Sequence, residues 1–431
     1  MLLEHCILVT FPSRHVDNWS FRNAADTVHR LAQKSTEMLF KAILSILMIG
    51  VGASAQVFNY NVWQQTFGQA WSAYAISNAT GDAATLQKLM AARLPESIKQ
   101  YNTPSGSWTP AWGPAVYQSI ISNKADNVWF ASFCPSVRFE DGKLYPTWVI
   151  SVAGTQQTLI DYLDDIDVGF AVDLDVWATD LYNMPSSTIS PDPSHAQIHS
   201  GVADAIYQIL TSSSPSSALP LNKWLTQVST AATQPTKFIF TGHSEGGPIS
   251  HALAYLYVKS GTLKKSSTVD VRFYPIAAPA TSNQVFVSAS QALFPPTAPP
   301  GLPGYAGWNL NIVNTLDSVP HAWCSNANAG QCGNYPYSLT LSNVNNMYNC
   351  VDSLVPFSLC NTEVGGMADA LIGLTDVINM VYWPQLTSNF TGRAPTTVPT
   401  GLDSWGDIAW NQHVQEYCWG YFQSLTTPYC G

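Results

Sequence analysis

The sequence predicts an α/β fold in which a mainly parallel central sheet has helices on both faces. Nearly continuous apolar runs, such as residues 147–152, have the composition of strands that are buried on both sides. Helix-compatible stretches separate these runs along the chain, and strands that alternate with helices form mainly parallel sheets. The 431 residues are enough for one large domain or two ordinary ones.

The predicted elements follow in chain order. Residues 56–125 are expected to be mostly helical, with breaks near Pro104 and Pro110. The strands are predicted at residues 127–133, 147–152, 237–241, 269–276 and 309–313. The helices are predicted from residue 199 to about 210, at 221–231 and at 249–256. Residues 318–412 carry four cysteines and few clear strands, so we expect loops and helices inserted at one end of the sheet.

Composition excludes some partners and favours one compartment. Hydrophobic residues make up 46% of the chain, which is enough for a large core, and only 11% of the residues are charged, against about 25% in an average protein. The formal net charge of −10 argues against nucleic acid as a partner, since nucleic-acid binding normally needs a basic face. A polar surface with few charges suits an extracellular protein.

The N-terminal region contains a signal-peptide pattern that does not begin at residue 1. Met38 opens a short basic region, an apolar run follows, and Ala53-Ser54-Ala55 is a cleavage sequence. We therefore expect residues 1–37 to be an upstream extension, 38–55 a signal peptide, and 56–431 a single secreted domain without a transmembrane segment. The alternative is an uncleaved signal-anchor with the basic residues of 1–37 on the cytoplasmic side.

The cysteine count agrees with export. Of eight cysteines, Cys6 lies in the extension, which leaves an odd number in the mature chain. Fifteen connectivities are open to six paired cysteines, and proximity favours three pairs in the C-terminal third: 324 with 332, 350 with 360, and 418 with 430. Cys134 lies in an apolar strand, where we expect a buried thiol rather than a nucleophile.

Residues 242–246 read Gly-His-Ser-Glu-Gly, the pattern G-x-S-x-G. A strand-like run at 237–241 precedes them and a helix-compatible run at 249–256 follows. A serine on such a tight strand-to-helix turn is held in a strained backbone conformation with its hydroxyl exposed. The context favours Ser244 as a nucleophile over a structural Gly/Ser turn.

A nucleophilic serine needs a base, and that base needs an orienting acid. The histidines after Ser244 are His251, His321 and His413. We expect His251 to be structural, because it lies two helical turns beyond the serine and points away. Near the C-terminus, His413 is a candidate base on a returning loop. Asp317 follows a predicted strand directly, at the carboxyl end where such sheets bind their ligands. Asp352, Asp376, Asp403 and Asp407 are further candidates for the orienting acid, but they do not follow a predicted strand in this way.

Five motifs in order resemble the class 3 (fungal-type) triacylglycerol lipases. They are the strand at 149–155, the His-x-Gly at 199–201, the pentapeptide at 242–246, the strand and turn at 274–280, and Asp-Ser-Val-Pro-His at 317–321. The resemblance implies an α/β-hydrolase fold with a triad of Ser244, Asp317 and His413. It also implies an oxyanion hole formed by Thr155 and by the backbone amide of Glu245.

The same resemblance implies a lid and a substrate. Leu159, Ile160 and Leu163 could form the apolar face of a helix that covers the site in water and opens onto lipid; the alternative is an ordinary amphipathic helix. The acidic residues at 164–175 could bind calcium, but we expect a solvated loop, no metal site and no cofactor. The predicted substrate is an acylglycerol ester at a lipid–water interface. A carboxylesterase, a phospholipase, a feruloyl-type esterase and a silent binding protein on this scaffold are the alternatives.

Three departures from the family pattern concern the substrate rather than the machinery. Glu245 stands where an apolar residue is frequent, and a carboxylate near the oxyanion hole opposes negative charge unless it turns away or is protonated. Ala153 stands where an arginine is common. The insertion between Asp317 and His413 is long, so we expect it to affect the shape of the acyl or leaving-group pocket.

Overall fold

The computed structural model describes residues 59–119, 122–154, 170–189, 192–214, 217–321, 383–396 and 402–423. All of them belong to one compact unit that spans residues 58–431. The predicted extension and signal peptide lie outside the described residues, so the boundaries at 37 and 55 stay predictions. Within the described parts of the chain, no helix has the length and apolar character needed to cross a membrane.

In the described part of the chain, a seven-stranded sheet forms the centre of the fold. Its strands are β1 Thr109–Tyr117, β2 Asn127–Arg138, β3 Leu144–Ala153, β9 Thr236–His243, β10 Val269–Ile276, β11 Asn311–Asn314 and β12 Thr387–Phe390, and they lie side by side in that order. The pairs β1–β2 and β2–β3 are antiparallel and the remaining four are parallel, so the prediction of a mainly parallel sheet is confirmed.

Among the residues that the structure describes, five short strands lie outside the central sheet. They are β4 Ala171–Asp173, β5 Ser187–Thr188, β6 Gln197–His199, β7 Ser213–Ser214 and β8 Ser217–Pro220. Three of them form a small sheet in the order β5-β4-β6, and two form the separate pair β7–β8.

Helices pack on both faces of the sheet and enclose two separate groups of buried side chains. The described helices are α1 Val62–Ser72, α2 Ala83–Lys99, α3 Leu174–Trp177, α4 Ser200–Thr211, α5 Leu221–Thr230, α6 Gly246–Lys259, α7 Gln284–Leu293, α8 Leu402–His413 and α9 Gln415–Phe422. Helices α1, α2 and α9 contribute to one group, and α4, α5 and α6 to the other, as the sequence predicts.

The prediction of a mostly helical segment at 56–125 is wrong after α2, which ends at Lys99. There the chain forms β1, an edge strand of the sheet. Proline lacks the amide hydrogen that a helix interior or a central strand requires, and an edge strand tolerates this loss. Trp112 is fully buried, and its indole N–H donates to the carbonyl of Leu219 at 2.9 Å. The burial of this large side chain and its contact with Leu219, a residue far away in sequence, stabilise the strand.

The carboxyl ends of the parallel strands are in register, and this register brings the candidate site residues together. In the register of the sheet, His243 at the end of β9 pairs with Ala153 of β3 and with Ile276 of β10. Ile276 in turn pairs with Ile312 of β11. Residues that follow directly on these four positions therefore meet at one edge of the sheet, where open α/β sheets bind their ligands.

The prediction for Cys134 is confirmed, because it is a buried free thiol in β2. Burial raises the pKa of this thiol, which keeps it protonated and unreactive. Each of the three predicted disulfide pairs includes at least one cysteine outside the described residues, so the pairing stays a prediction.

Candidate active site

The turn between β9 and α6 has the backbone geometry expected of a nucleophile elbow. Ser244 has a φ of 58°, a left-handed conformation that typically costs about 1–3 kcal/mol in a residue other than glycine. Its amide donates to the carbonyl of Ile276 at 2.9 Å, and the next strand thereby holds the turn in place. The serine is half-buried, between the end of a strand and the start of a helix.

Two glycines allow the elbow to lie directly against the end of β3. A Cβ atom on Gly246 would lie 2.2 Å from the carbonyl oxygen of Val152, and one on Gly154 would lie 2.5 Å from the Cβ atom of Glu245. Side chains at these positions would push β3 away from the elbow. This contact fixes the position of Gly154, the residue that precedes the predicted oxyanion donor Thr155 in the sequence.

His413 and Asp317 form a buried hydrogen-bonded pair. His413 Nδ1 lies 2.8 Å from Asp317 Oδ2, and the two side chains are 2% and 0% exposed. Because a carboxylate accepts, Nδ1 carries the proton and Nε2 is left as the basic nitrogen. Within the described residues, Nε2 of His413 has no hydrogen-bond partner. His413 is the last residue of α8 rather than part of the returning loop that the sequence predicts.

Several donors hold the carboxylate of Asp317. The amide of Val319 donates to Oδ1 at 3.0 Å, and the hydroxyl of Tyr417 donates to Oδ2 at 2.9 Å. The Asp317 amide donates to the carbonyl of Asn314 at 2.9 Å, which ties the residue to the end of β11. Hydrogen bonds to a charged acceptor are among the stronger ones in proteins.

Tyr417 is a site residue that the sequence reasoning missed. It is fully buried, and its oxygen also accepts the amide of Asn314 at 3.0 Å. Burial raises the pKa of Tyr417 well above its usual range, and the charge of Asp317 raises it further, so the phenol keeps its proton and remains a donor. The available signal was its position four residues after His413.

Tyr74, in the turn after α1, is a second residue that was missed. Its hydroxyl donates to the carbonyl of His243 at 2.8 Å and accepts the amide of Gly154 at 3.1 Å. It therefore joins the elbow strand to the end of β3. Burial raises the pKa of Tyr74, the hydrogen bond from the Gly154 amide lowers it, and the charge of Glu245 raises it. The net increase keeps the phenol protonated, so it remains a donor.

Of the other predicted site residues, the structure describes Glu245 but not the second oxyanion donor or the lid. Glu245 is 9% exposed and immediately precedes α6. Thr155 and the predicted lid residues Leu159, Ile160 and Leu163 lie outside the described residues, so their roles stay predictions.

Three of the remaining sequence candidates have partners of their own among the described residues. His251 is buried, and its Nε2 bonds to the hydroxyl of Ser290. Asp173 caps α3 and pairs with His195, while Asp175 pairs with Lys259 at 3.0 Å. Across the described parts of the chain, no group of three or more His, Cys, Asp or Glu residues is arranged to hold a metal ion.

Comparison with protein families identifies the region around the elbow. Residues 168–326 match the model of the lipase (class 3) family. This match assigns residues 168–326 to the class 3 lipases. The match includes Ser244 and Asp317, while Thr155 and His413 lie outside it. The chain is therefore classed as a carboxylic ester hydrolase, as its sequence predicts.

Solved structures show the same fold. M37 lipase is similar with a TM-score of 0.57 and 19% identity, over 84% of this chain and 93% of that one. The chain thus has the α/β-hydrolase fold that its sequence predicts.

Two fungal lipases are also similar over 60% of this chain. The lipase of Rhizopus microsporus var. chinensis has a TM-score of 0.35 at 17% identity over 67% of its length. Lipase II of Rhizopus niveus has a TM-score of 0.33 at 18% identity over 72% of its length. A sequence comparison with curated proteins gives no match.

Proposed function

We propose that this protein hydrolyses acylglycerol esters through an acyl-enzyme intermediate on Ser244, with His413 as base and Asp317 as acid. The observation that carries the proposal is the buried 2.8 Å hydrogen bond between His413 and Asp317. It leaves a basic nitrogen at the same edge of the sheet as a serine in the strained conformation of an elbow.

The reaction follows from these positions. The hydroxyl oxygen of Ser244 attacks the ester carbonyl while Nε2 of His413 takes its proton. Asp317 holds the ring in the required tautomer and stabilises the imidazolium that forms. The proton then passes to the departing alcohol, and water activated by the same histidine releases the fatty acid.

The negative charge that develops on the carbonyl oxygen needs donors. The amide of Glu245 stands at the N-terminus of α6, where the helix dipole favours an anion. Thr155 is proposed as the second donor, because it follows Gly154, which is held against the elbow. Removal of one such donor typically costs about 3 kcal/mol of transition-state stabilisation.

Hydrolysis of p-nitrophenyl esters, from short to long acyl chains, tests the nucleophile. Ser244→Ala is expected to lower kcat by at least about 10⁴-fold while the fold is kept. The matched control is Ser250→Ala on α6, the helix that follows the elbow. The Ser250 hydroxyl bonds only to the carbonyl of Gly247 among the described residues, and we expect this variant to retain activity. Equal background rates in wild type and Ser244→Ala would leave the silent binding protein as the remaining interpretation.

A rate profile against substrate concentration tests the substrate class. A sharp rise above the solubility limit of a long-chain ester is expected for a lipase that acts at an interface. A hyperbolic profile that saturates below that limit would favour a carboxylesterase or a related esterase on soluble substrates.

Secretion is part of the same proposal and has a separate test. The support is the signal-peptide pattern that ends at Ala55. N-terminal sequencing of protein from the culture medium is expected to begin at or near Gln56. A mature chain that retains residues 38–55 would contradict cleavage and favour a signal-anchor.

A further inference from the structure

His243 stands directly before the nucleophile, yet the proposed reaction makes no use of its side chain. The ring is 3% exposed. Its Nε2 lies 2.8 Å from the backbone carbonyl oxygen of His413, a residue 170 positions further along the chain. This hydrogen bond joins the end of β9, directly before the nucleophile, to the end of α8, which carries the base.

The direction of this hydrogen bond follows from its acceptor. A carbonyl oxygen only accepts, so Nε2 of His243 carries the proton. Burial lowers the pKa of His243 well below its usual range, and the adjacent His413 lowers it further, although the bond to the carbonyl acts in the opposite sense. The ring is therefore a neutral donor, which places no positive charge beside the imidazolium that His413 becomes during the reaction.

The carbonyl of His413 is an acceptor in need of a partner. Helix α8 ends at this residue, and the last four carbonyls of a helix have no partner within it. A buried carbonyl without a partner is unfavourable. The bond from His243 satisfies it, and His243 directly precedes Ser244 in the chain.

Aromatic rings hold the His243 side chain in its orientation. The ring of His413 lies at a centroid distance of 4.5 Å and an interplanar angle of 40°. The rings of Trp71 and Tyr417 meet it edge-on, at 5.1 Å and 5.5 Å. Tyr74 adds a hydroxyl bond to the carbonyl of the same residue, so both the backbone and the ring of His243 are held.

We propose that His243 is a positioning residue that sets the distance between the hydroxyl of Ser244 and Nε2 of His413. The inference rests on the proposed function, since it assigns the reacting roles to those two residues. A bond from the neighbour of the nucleophile to the backbone of the base controls their separation directly, and displacement of a reacting group by about 1 Å can lower a rate about 100-fold.

A matched pair of variants separates the hydrogen bond from the volume of the side chain. His243→Gln keeps an N–H donor at a similar reach, while His243→Met has a similar length and no donor. We expect the glutamine variant to retain kcat within about fivefold, and the methionine variant to lose about 30- to 100-fold in kcat with KM within twofold. His243→Phe, which keeps a planar ring without a donor, is expected to match the methionine variant.

The control is His251→Met. His251 is also buried, packs against the ring of Phe273 at 4.0 Å and bonds through Nε2 to Ser290, outside the triad. We expect this variant to lose thermal stability without a comparable loss of kcat. Folding of every variant is checked by thermal unfolding, and the phenylalanine variant decides the comparison if the methionine variant does not fold.

Three results would overturn the inference. One is equal kcat in the glutamine variant and the variants without a donor. Another is a loss that falls on KM instead of kcat. The third is an equal loss of kcat in His251→Met. Failure of the proposed function is a different outcome, since Ser244→Ala would then keep its activity.

Discussion

Removal of the hydroxyl of Tyr417 should weaken both the stability of the fold and the orientation of the acid. In Tyr417→Phe the ring stays, and two hydrogen bonds disappear. One is the donation to Oδ2 of Asp317 at 2.9 Å, and the other is the acceptance of the Asn314 amide at 3.0 Å. The tyrosine and the aspartate are both completely buried, so water is not available to replace the lost partner.

The magnitude follows from these two contacts. A hydrogen bond to a charged group contributes about 1.5–3 kcal/mol, and a buried donor left without a partner costs about 1–3 kcal/mol. We therefore expect the free energy of unfolding to fall by about 3 kcal/mol, less than the sum because the helix that carries Tyr417 relaxes. Asp317 keeps the donors from Val319 and His413, so kcat should fall only about tenfold, or ~1.4 kcal/mol.

Denaturant unfolding and p-nitrophenyl ester kinetics measure the two effects on the same preparations. Tyr421→Phe is the matched control, because Tyr421 lies one turn later on α9, is 1% exposed and bonds through its hydroxyl to Tyr274 rather than to Asp317. It should lose stability and keep kcat. An unchanged kcat in Tyr417→Phe, or an equal loss of kcat in both variants, would refute a role for Tyr417 in holding the acid.

Three further predictions concern single residues. Gly154→Ala should lower kcat about 100-fold, because its new Cβ would lie 2.5 Å from the Cβ of Glu245 and displace the predicted oxyanion strand; Gly406→Ala, which meets nothing within 4 Å, is the control that should stay active. Glu245→Leu should retain or raise the rate of ester hydrolysis. A loss of about 100-fold or more in kcat, comparable to the loss of one oxyanion-hole donor, would mean that the carboxylate assists the reaction. Burial lowers the pKa of His251 to about 3, from about 6.5 in the unfolded chain. Between about pH 6.5 and about pH 3, only the unfolded state binds a proton on His251. The free energy of unfolding therefore falls as the pH decreases through this range. His251→Met should therefore flatten the decline by up to about 1.4 kcal/mol per pH unit, measured as unfolding free energy against pH; an unchanged slope would contradict it.

Much of the fold follows from local patterns. The apolar run that becomes β10 and the strand-turn-helix around Ser244 have lengths and compositions that few alternatives satisfy. Local patterns place the segment that forms β1 in a helical region, because its strand character depends on the burial of Trp112 against β8, a strand more than 100 residues away. Intrinsic propensity is overridden where long-range packing contributes more to the free energy of folding.

The proposed site divides in the same way. Order along the chain and position after a strand single out Ser244 and Asp317 from sequence, and the choice of His413 needed a family resemblance. No local pattern predicts that Tyr417 donates to Asp317 or that His243 donates to the carbonyl of His413.

Sequence by itself determined which chemical groups this protein has and which elements carry them. The tertiary structure decided their mutual orientation, since the contacts that fix it join residues that are 80 to 170 positions apart, from the Tyr74 hydroxyl at Gly154 to the His243 ring at His413. Hydrogen bonds depend on the distance and direction between two atoms, and in a folded chain those are set only when the strands align their carboxyl ends and the helices pack over them.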